Sequence, residues 1–352
     1  MQGSSPIGHI PTLDGWRGIA ILLVLITHLQ AGLWGHVYGG HRWLDLGQHG
    51  VGIFFVLSGY LITALLLEEE RIDLKRFYMR RLFRLMPCAW VYLLSVVILG
   101  QIIRVQIIGN DIWPSLFFFR NYTPTADIST NLFTVHFWSL SLEEQFYLAW
   151  PPVLLWVGRK WALRIAIAGA AACAIFRYSY LTFSSQPLMD FHFEVRADAL
   201  LVGCALAMLL KNQAIRSWIE RNGVWLFCLC VPAFGWHLYR YQMFPPLTES
   251  LLIALMIAIT SILPSFAISK ALEYKHLRFL GTISYSVYVW QQLFLMPRSG
   301  GFFAFFLPTA ALGSWVLIER PCIRFERRLE RRNSAAHHTA SPVATDLSTK
   351  AS

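Results

Sequence analysis

Four groups of residues in this chain could do chemistry, and each lies in or beside an apolar run. In WRGIAILLVLITHL (16–29), eleven residues separate Arg17 from His28. On a helix the two fall within about 20° of each other, roughly 16 Å apart along the axis. Asp14 extends that stripe and is spaced to pair with Arg17. Two readings are open: a general base or transient nucleophilic carrier at His28 with an anion-binding Arg17, or a packing histidine and an interfacial anchor. In VHFWSLSLEEQFYLAWP (135–151), Ser139, Glu143 and Tyr147 share a face at four-residue steps, with His136 and Trp138 just ahead. The helix dipole accounts for one acid near a helix start. Glu143 and Glu144 together, beside a His, a Trp and a Ser, favour a site. RIDLKRFYMRRLFRLMP (71–87) places Arg80, Arg81 and Arg84 within about one helical turn. They are either a topology signal against lipid phosphates or a clamp for the phosphates of a nucleotide-bearing ligand. In EVRADALLVG (194–203), Glu194 and Asp198 are four apart with Arg196 between them, as an ion pair or as a substrate contact.

The elements that must position these groups are membrane spans. The chain has 352 residues, 56% of them hydrophobic and only 14% charged, with a mean hydropathy of +0.48. Soluble domains carry about 25% charge. An ionisable side chain at the bilayer centre costs about 2.5–3.5 kcal/mol, so such groups face a cavity or one another. Apolar segments of spanning length fall at 17–37, 50–67, 85–108, 139–157, 164–183, 196–211, 223–240, 247–267, 282–297 and 302–319. The expected fold is an all-α integral membrane protein, a bundle of about ten transmembrane helices. An even number of spans puts both termini on one side. The connections 68–84, 158–164, 211–221 and 269–281 and the tail after 319 hold 22 of the 30 Lys and Arg, which makes that side cytoplasmic. The net charge of +10 is read the same way rather than as a nucleic-acid footprint.

The expected division is a membrane domain over 1–332 and a disordered polar cytoplasmic tail over 333–352, with no second soluble domain. The connection 109–137, rich in aromatic residues, Pro, Asn and Thr, suits a loop folded over the membrane domain on the opposite side. The six cysteines show no pairing pattern and are expected as free thiols, and Cys228 and Cys230 lack nearby histidines for a metal. The first apolar segment carries Asp14 and His28 and no small-x-small cleavage site, so it is expected to be retained. A multi-span transporter using the same charges as a relay is the alternative. No internal repeat of the inverted-repeat type is present, and no feature of the pattern sets an oligomeric state.

Six motifs in order resemble the membrane-bound acyltransferase-3 family: LDGWRGIAILLVLITH (13–28), GVGIFFVLSGYLIT (50–63), RRLFRLMP (80–87), HFWSLSLEEQFYL (136–148), GTISYSVYVW (281–290) and IERP (318–321). The resemblance implies an O-acyltransferase of the bacterial inner membrane. It would move an acyl group, expected to be acetyl, from cytoplasmic acyl-CoA to a hydroxyl of a carbohydrate, glycolipid or polysaccharide precursor such as a lipid-linked saccharide, without a metal. By the same resemblance His28, Glu143 and Arg17 would be catalytic. Arg80, Arg81, Arg84 and Arg17 would hold the acyl-CoA. His136, Trp138, Ser139, Arg196, Asp198 and Gln291 would serve the acceptor. The chain departs from the family where YSVYVWQQ places Gln291 at a position that often carries His. Glutamine transfers no proton at neutral pH, so that position should bind rather than catalyse. The extracytoplasmic esterase-like domain fused to some members has no counterpart in these residues, which implies an acceptor handled by the membrane domain.

Overall fold

In a computed structural model of the chain, the described residues are 10–34, 46–70, 72–102, 109–123, 133–183, 191–239, 246–295 and 302–339. They form helices and no strand. In chain order these are α1 (Pro11–Trp34), α2 (Leu46–Glu68), α3 (Leu74–Ile102), α4 (Gly109–Leu116), α5 (Phe137–Phe183), α6 (Phe193–Arg196), α7 (Asp198–Leu209), α8 (Gln213–Tyr239) and α9 (Pro246–Ile262). They continue with α10 (Ala267–Leu272), α11 (Lys275–Thr282), α12 (Ser284–Phe294), α13 (Leu307–Ser314) and α14 (Arg320–Thr339). A π turn, Trp315–Glu319, joins the last two.

Among the described residues, four helices are long and apolar enough to cross a bilayer: α1, α2, α3 and α5. The pair α7–α8, bent by 103°, makes a fifth candidate. The 47 residues of α5 extend roughly 70 Å at 1.5 Å each, more than twice a hydrocarbon core. The helix kinks at Gly158 (φ 71°, ψ 167°), a conformation only glycine adopts readily. That kink divides it near the expected spans 139–157 and 164–183. Large apolar side chains such as Leu94, Trp156, Trp225 and Leu317 lie outside the bundle, as suits a surface solvated by lipid.

Two elements differ from the sequence expectation. The basic run 71–84 was expected as a connection before a span starting at 85, yet α3 is continuous from Leu74 and carries Pro87 within it. Asp73 explains the early start: its carboxylate accepts the Arg76 backbone N–H at 3.0 Å, a helix N-cap that hydropathy does not register. Arg80, Arg81 and Arg84 therefore belong to the spanning helix itself. At the other end, α14 continues to Thr339, past the expected boundary at 332, and residues 340–352 lie outside the described set.

The centre of the bundle is α2, which packs on α1, α7, α9 and α5. It reaches α7 through two glycines. A Cβ at Gly59 would collide with the Leu200 carbonyl, and one at Gly203 with the Val56 carbonyl. Backbones this close gain dense van der Waals contact, the main attraction between helices once water is gone. Gly59→Ala should therefore lower stability by about 1–3 kcal/mol, read as a lower unfolding midpoint in detergent. Gly235→Ala, where an added Cβ meets nothing, should leave the midpoint unchanged or slightly raised. Equal midpoints for the two variants would contradict this packing.

Candidate active site

A cavity of about 250 Å³ opens between α1, α2, α3, α5 and α12. Along α2 it is lined from Val51 through Phe54, Ser58 and Leu61 to Leu65. Those three- and four-residue steps make one helical stripe, roughly 21 Å long. One end of the cavity is basic. Arg17 comes from α1, and Arg81 and Arg84 come from successive turns of α3. No hydrogen bond or ion pair to protein engages any of these guanidinium groups; Arg81 lies over the Tyr147 ring, 4.0 Å from its centroid. The pairing of Asp14 with Arg17 that their spacing allows does not form, because Arg17 turns into the cavity. Glu143 faces the arginines and accepts a hydrogen bond from the Ser58 hydroxyl at 2.7 Å. Glu144 does not line the cavity.

The other end carries hydroxyls. The Ser139 and Tyr288 oxygens are 2.5 Å apart, and each hydroxyl also reaches the His136 carbonyl at 3.2 Å. His136 donates from Nε2 to the Val289 carbonyl at 3.0 Å, and its Nδ1 is buried without a hydrogen-bond partner. Gln291 lies three residues beyond Tyr288 on α12 and is fully buried, with neither amide atom hydrogen-bonded. His28 does not line the cavity. It lies three turns beyond Arg17 on α1. Its Nδ1 donates to the Val24 carbonyl at 2.8 Å, which makes Nε2 the basic nitrogen.

Three expected site residues are held elsewhere. Arg80 leaves the cavity to bond Glu69 at 2.6 Å and approach Glu330 of α14 at 3.9 Å. Glu194 and Asp198 do not share a partner, although Ala197 between α6 and α7 stays in the right-handed helical region (φ −68°, ψ −11°). Asp198 is instead buried against Arg177 of α5 at 3.2 Å. Arg196 donates to Gln48 at 3.1 Å and lies 5.8 Å from the Trp138 ring centroid. Glu194 accepts from the Tyr122 hydroxyl at 2.9 Å.

The family described as an acyltransferase domain, acyltransferase-3, matches residues 10–318. The chain belongs to the acyltransferase-3 family. It is 32% identical over 315 residues to the peptidoglycan O-acetyltransferase OatA of Listeria monocytogenes, covering 80% of this chain and 49% of that protein. It is 30% identical over 321 residues to the putative peptidoglycan O-acetyltransferase YrhL of Bacillus subtilis (80% and 48%). It is 29% identical over 322 residues to the O-acetyltransferase OatA of Staphylococcus aureus (80% and 50%). The chain thus spans about half the length of these curated relatives. No solved structure matches it.

This acyltransferase-3 chain holds further polar residues that the sequence reading left without a role. Ser58, Tyr147 and Tyr288 line the cavity. Ser58 and Tyr288 lie within motifs already visible, but only the fold aims them at Glu143 and Ser139. Among the described residues, no group of three or more His, Cys, Asp or Glu is arranged to hold a metal ion. A second buried cluster lies on the far side of α2. Glu249 of α9 sits 2.7 Å from His49 Nδ1 and 3.5 Å from His237 Nε2 of α8. Gly52 leaves room for it, since a Cβ there would come within 3.3 Å of the Glu249 carboxylate. Because His49 lies 200 positions from Glu249 in sequence, no local pattern announces the cluster. The cluster ties three helices together where none of its members touches the cavity. Glu249→Ala should cost about 1–3 kcal/mol, seen as a lower unfolding midpoint, with Glu249→Gln recovering part of the loss. An unchanged midpoint for the alanine variant would show that the cluster bears no load.

Proposed function

We propose that this chain is a multi-pass O-acyltransferase of the bacterial inner membrane, with about ten spans and both termini cytoplasmic. It takes an acyl group, most simply acetyl, from cytoplasmic acyl-CoA and passes it to a carbohydrate hydroxyl. The observation that carries this reading is the set of three guanidinium groups, Arg17, Arg81 and Arg84, sharing one cavity with no hydrogen bond or ion pair to protein. Buried cations ordinarily find an anion. Guanidinium groups with free donors suit the phosphates of coenzyme A, which they bind in forked pairs. The apolar stripe of α2 leads away from them and suits the thin pantetheine arm, which would carry the thioester toward Ser139 and Tyr288.

At that end the chemistry needs a base. His28 holds its Nδ1–H on its own helix, which makes Nε2 the nitrogen that would take the acceptor hydroxyl's proton as its oxygen attacks the thioester carbonyl. The carbon–sulfur bond then breaks and the coenzyme A thiolate leaves, to be protonated on its way out. Glu143, held by Ser58, supports acid–base balance beside the arginines. His136, Trp138, Ser139 and Gln291 are read as the acceptor side, and the unpaired Gln291 amide offers a donor and an acceptor to a sugar hydroxyl. Asp198 contributes by fixing Arg177 rather than by touching substrate. The relatives' names favour a peptidoglycan-type acceptor.

The test uses purified full-length protein with acetyl-CoA. Arg81→Ala with Arg84→Ala should weaken coenzyme A binding by at least about tenfold, given a loss of at least ~1.5 kcal/mol per charge-assisted bond. Unchanged affinity would return those arginines to a topology role. His28→Ala should abolish acyl transfer, measured as coenzyme A release in native membranes, while the protein still inserts and binds coenzyme A. An active, normally expressed variant would overturn the mechanism.

A further inference from the structure

Behind the three arginines stands a carboxylate that nothing above employs. Glu319 is only 3% exposed although it lies next to the exposed Arg320. Its placement depends on the π turn. The Arg320 N–H bonds to the Trp315 carbonyl, five residues back rather than four. A turn closed at five residues brings positions five apart onto one face, and such turns recur at functional sites. Here those positions are Ser314 and Glu319. Ser314 reaches Cys88 of α3 at 3.2 Å, and Glu319 accepts from the Ser286 hydroxyl of α12 at 2.9 Å. Cys88 is one turn from Arg84 on α3, so the π turn that carries Glu319 packs against the helix that carries Arg81 and Arg84, while Glu319 itself does not line the cavity.

Its field acts there. Arg84 feels the like charges of Arg17 and Arg81 and the opposite charge of Glu319. Glu319 in turn feels Arg84 first and Arg17 after it. Yet it forms no ion pair with either, because Ser286 holds it back and leaves the guanidinium donors turned to the cavity. Glu319 belongs to the IERP motif (318–321), which carries the family resemblance without giving this carboxylate a role.

We propose that Glu319 is a positioning residue that acts through Arg84 as an electrostatic counterweight. It offsets part of the arginine charge from behind, so that an anionic ligand binds at the front and is also released. This rests on reading the arginines as the coenzyme A site. The geometry gives two variants opposite signs. Glu319→Gln removes the counter-charge and keeps the shape, so coenzyme A should bind more tightly. Ser286→Ala frees the carboxylate to close on Arg84 and compete with the ligand, so coenzyme A should bind more weakly. Damage to the fold would weaken binding in both.

The experiment measures the dissociation constant and off-rate of coenzyme A on full-length protein in nanodiscs. Glu319→Gln should lower the dissociation constant roughly three- to tenfold through a slower off-rate. Ser286→Ala should raise it, and the double variant should return to the tight value. Unchanged or weaker binding by Glu319→Gln at a normal unfolding temperature overturns the proposal. If that variant does not fold, unchanged or tighter binding by Ser286→Ala overturns it instead. The Arg81→Ala, Arg84→Ala protein separates the two readings: if it retains full coenzyme A affinity, the donor site itself is misassigned.

Discussion

Three positive charges gathered inside a helix bundle, with no carboxylate bonded to them, set the central constraint on this structure. In a low-dielectric surrounding, like charges repel strongly and each forfeits much of its hydration. Such a cluster persists only if the scaffold is rigid enough to hold it open and if solvent or an anion completes it. The rigidity comes from backbones packed at glycine contacts along α2, and from α1 against α11, where a Cβ at Gly281 would strike the Asp14 carbonyl. The cavity is therefore defined by helices that cannot easily close on it.

From that basic end, polar groups continue in one direction through the bundle. Glu143 and Ser58 follow the arginines, then Ser139, Tyr288 and the carbonyl of His136. Apolar side chains of α2 line the same route. Such a sequence of environments suits a ligand with a charged head and a slender neutral arm better than it suits an ion. The bonded hydroxyls offer fixed dipoles where charge would develop on a reacting carbonyl.

Much of this was legible in sequence because helical periodicity survives any tertiary arrangement. Ser139, Glu143 and Tyr147 face one way on any helix, and all three line the cavity. Arg17 and His28 share a face for the same reason, yet only Arg17 lines the cavity. What could not be read depends on partners remote in sequence. Arg80 and Arg81 are adjacent and chemically alike, and only Glu69 and Glu330 decide that one braces the surface while the other enters the cavity. Asp198 reads locally against its neighbours because nothing in the segment discloses the approach of Arg177. The start of α3 was misplaced because an aspartate cap, not hydrophobicity, begins that helix.

The first turns of α3 also bear on how the protein can change over evolutionary time. Arg76 bonds Glu330 of α14 and Arg80 bonds Glu69 just past α2, whereas Arg81 and Arg84 face inward. The division is one of rotational phase about a single axis. Inserting or deleting one residue between Asp73 and Arg81 would turn the rest of the helix by about 100° relative to its start and take Arg81 and Arg84 off the cavity face. Point substitutions leave the phase intact. Across descendants of this gene, that stretch should vary in residue type while keeping its length.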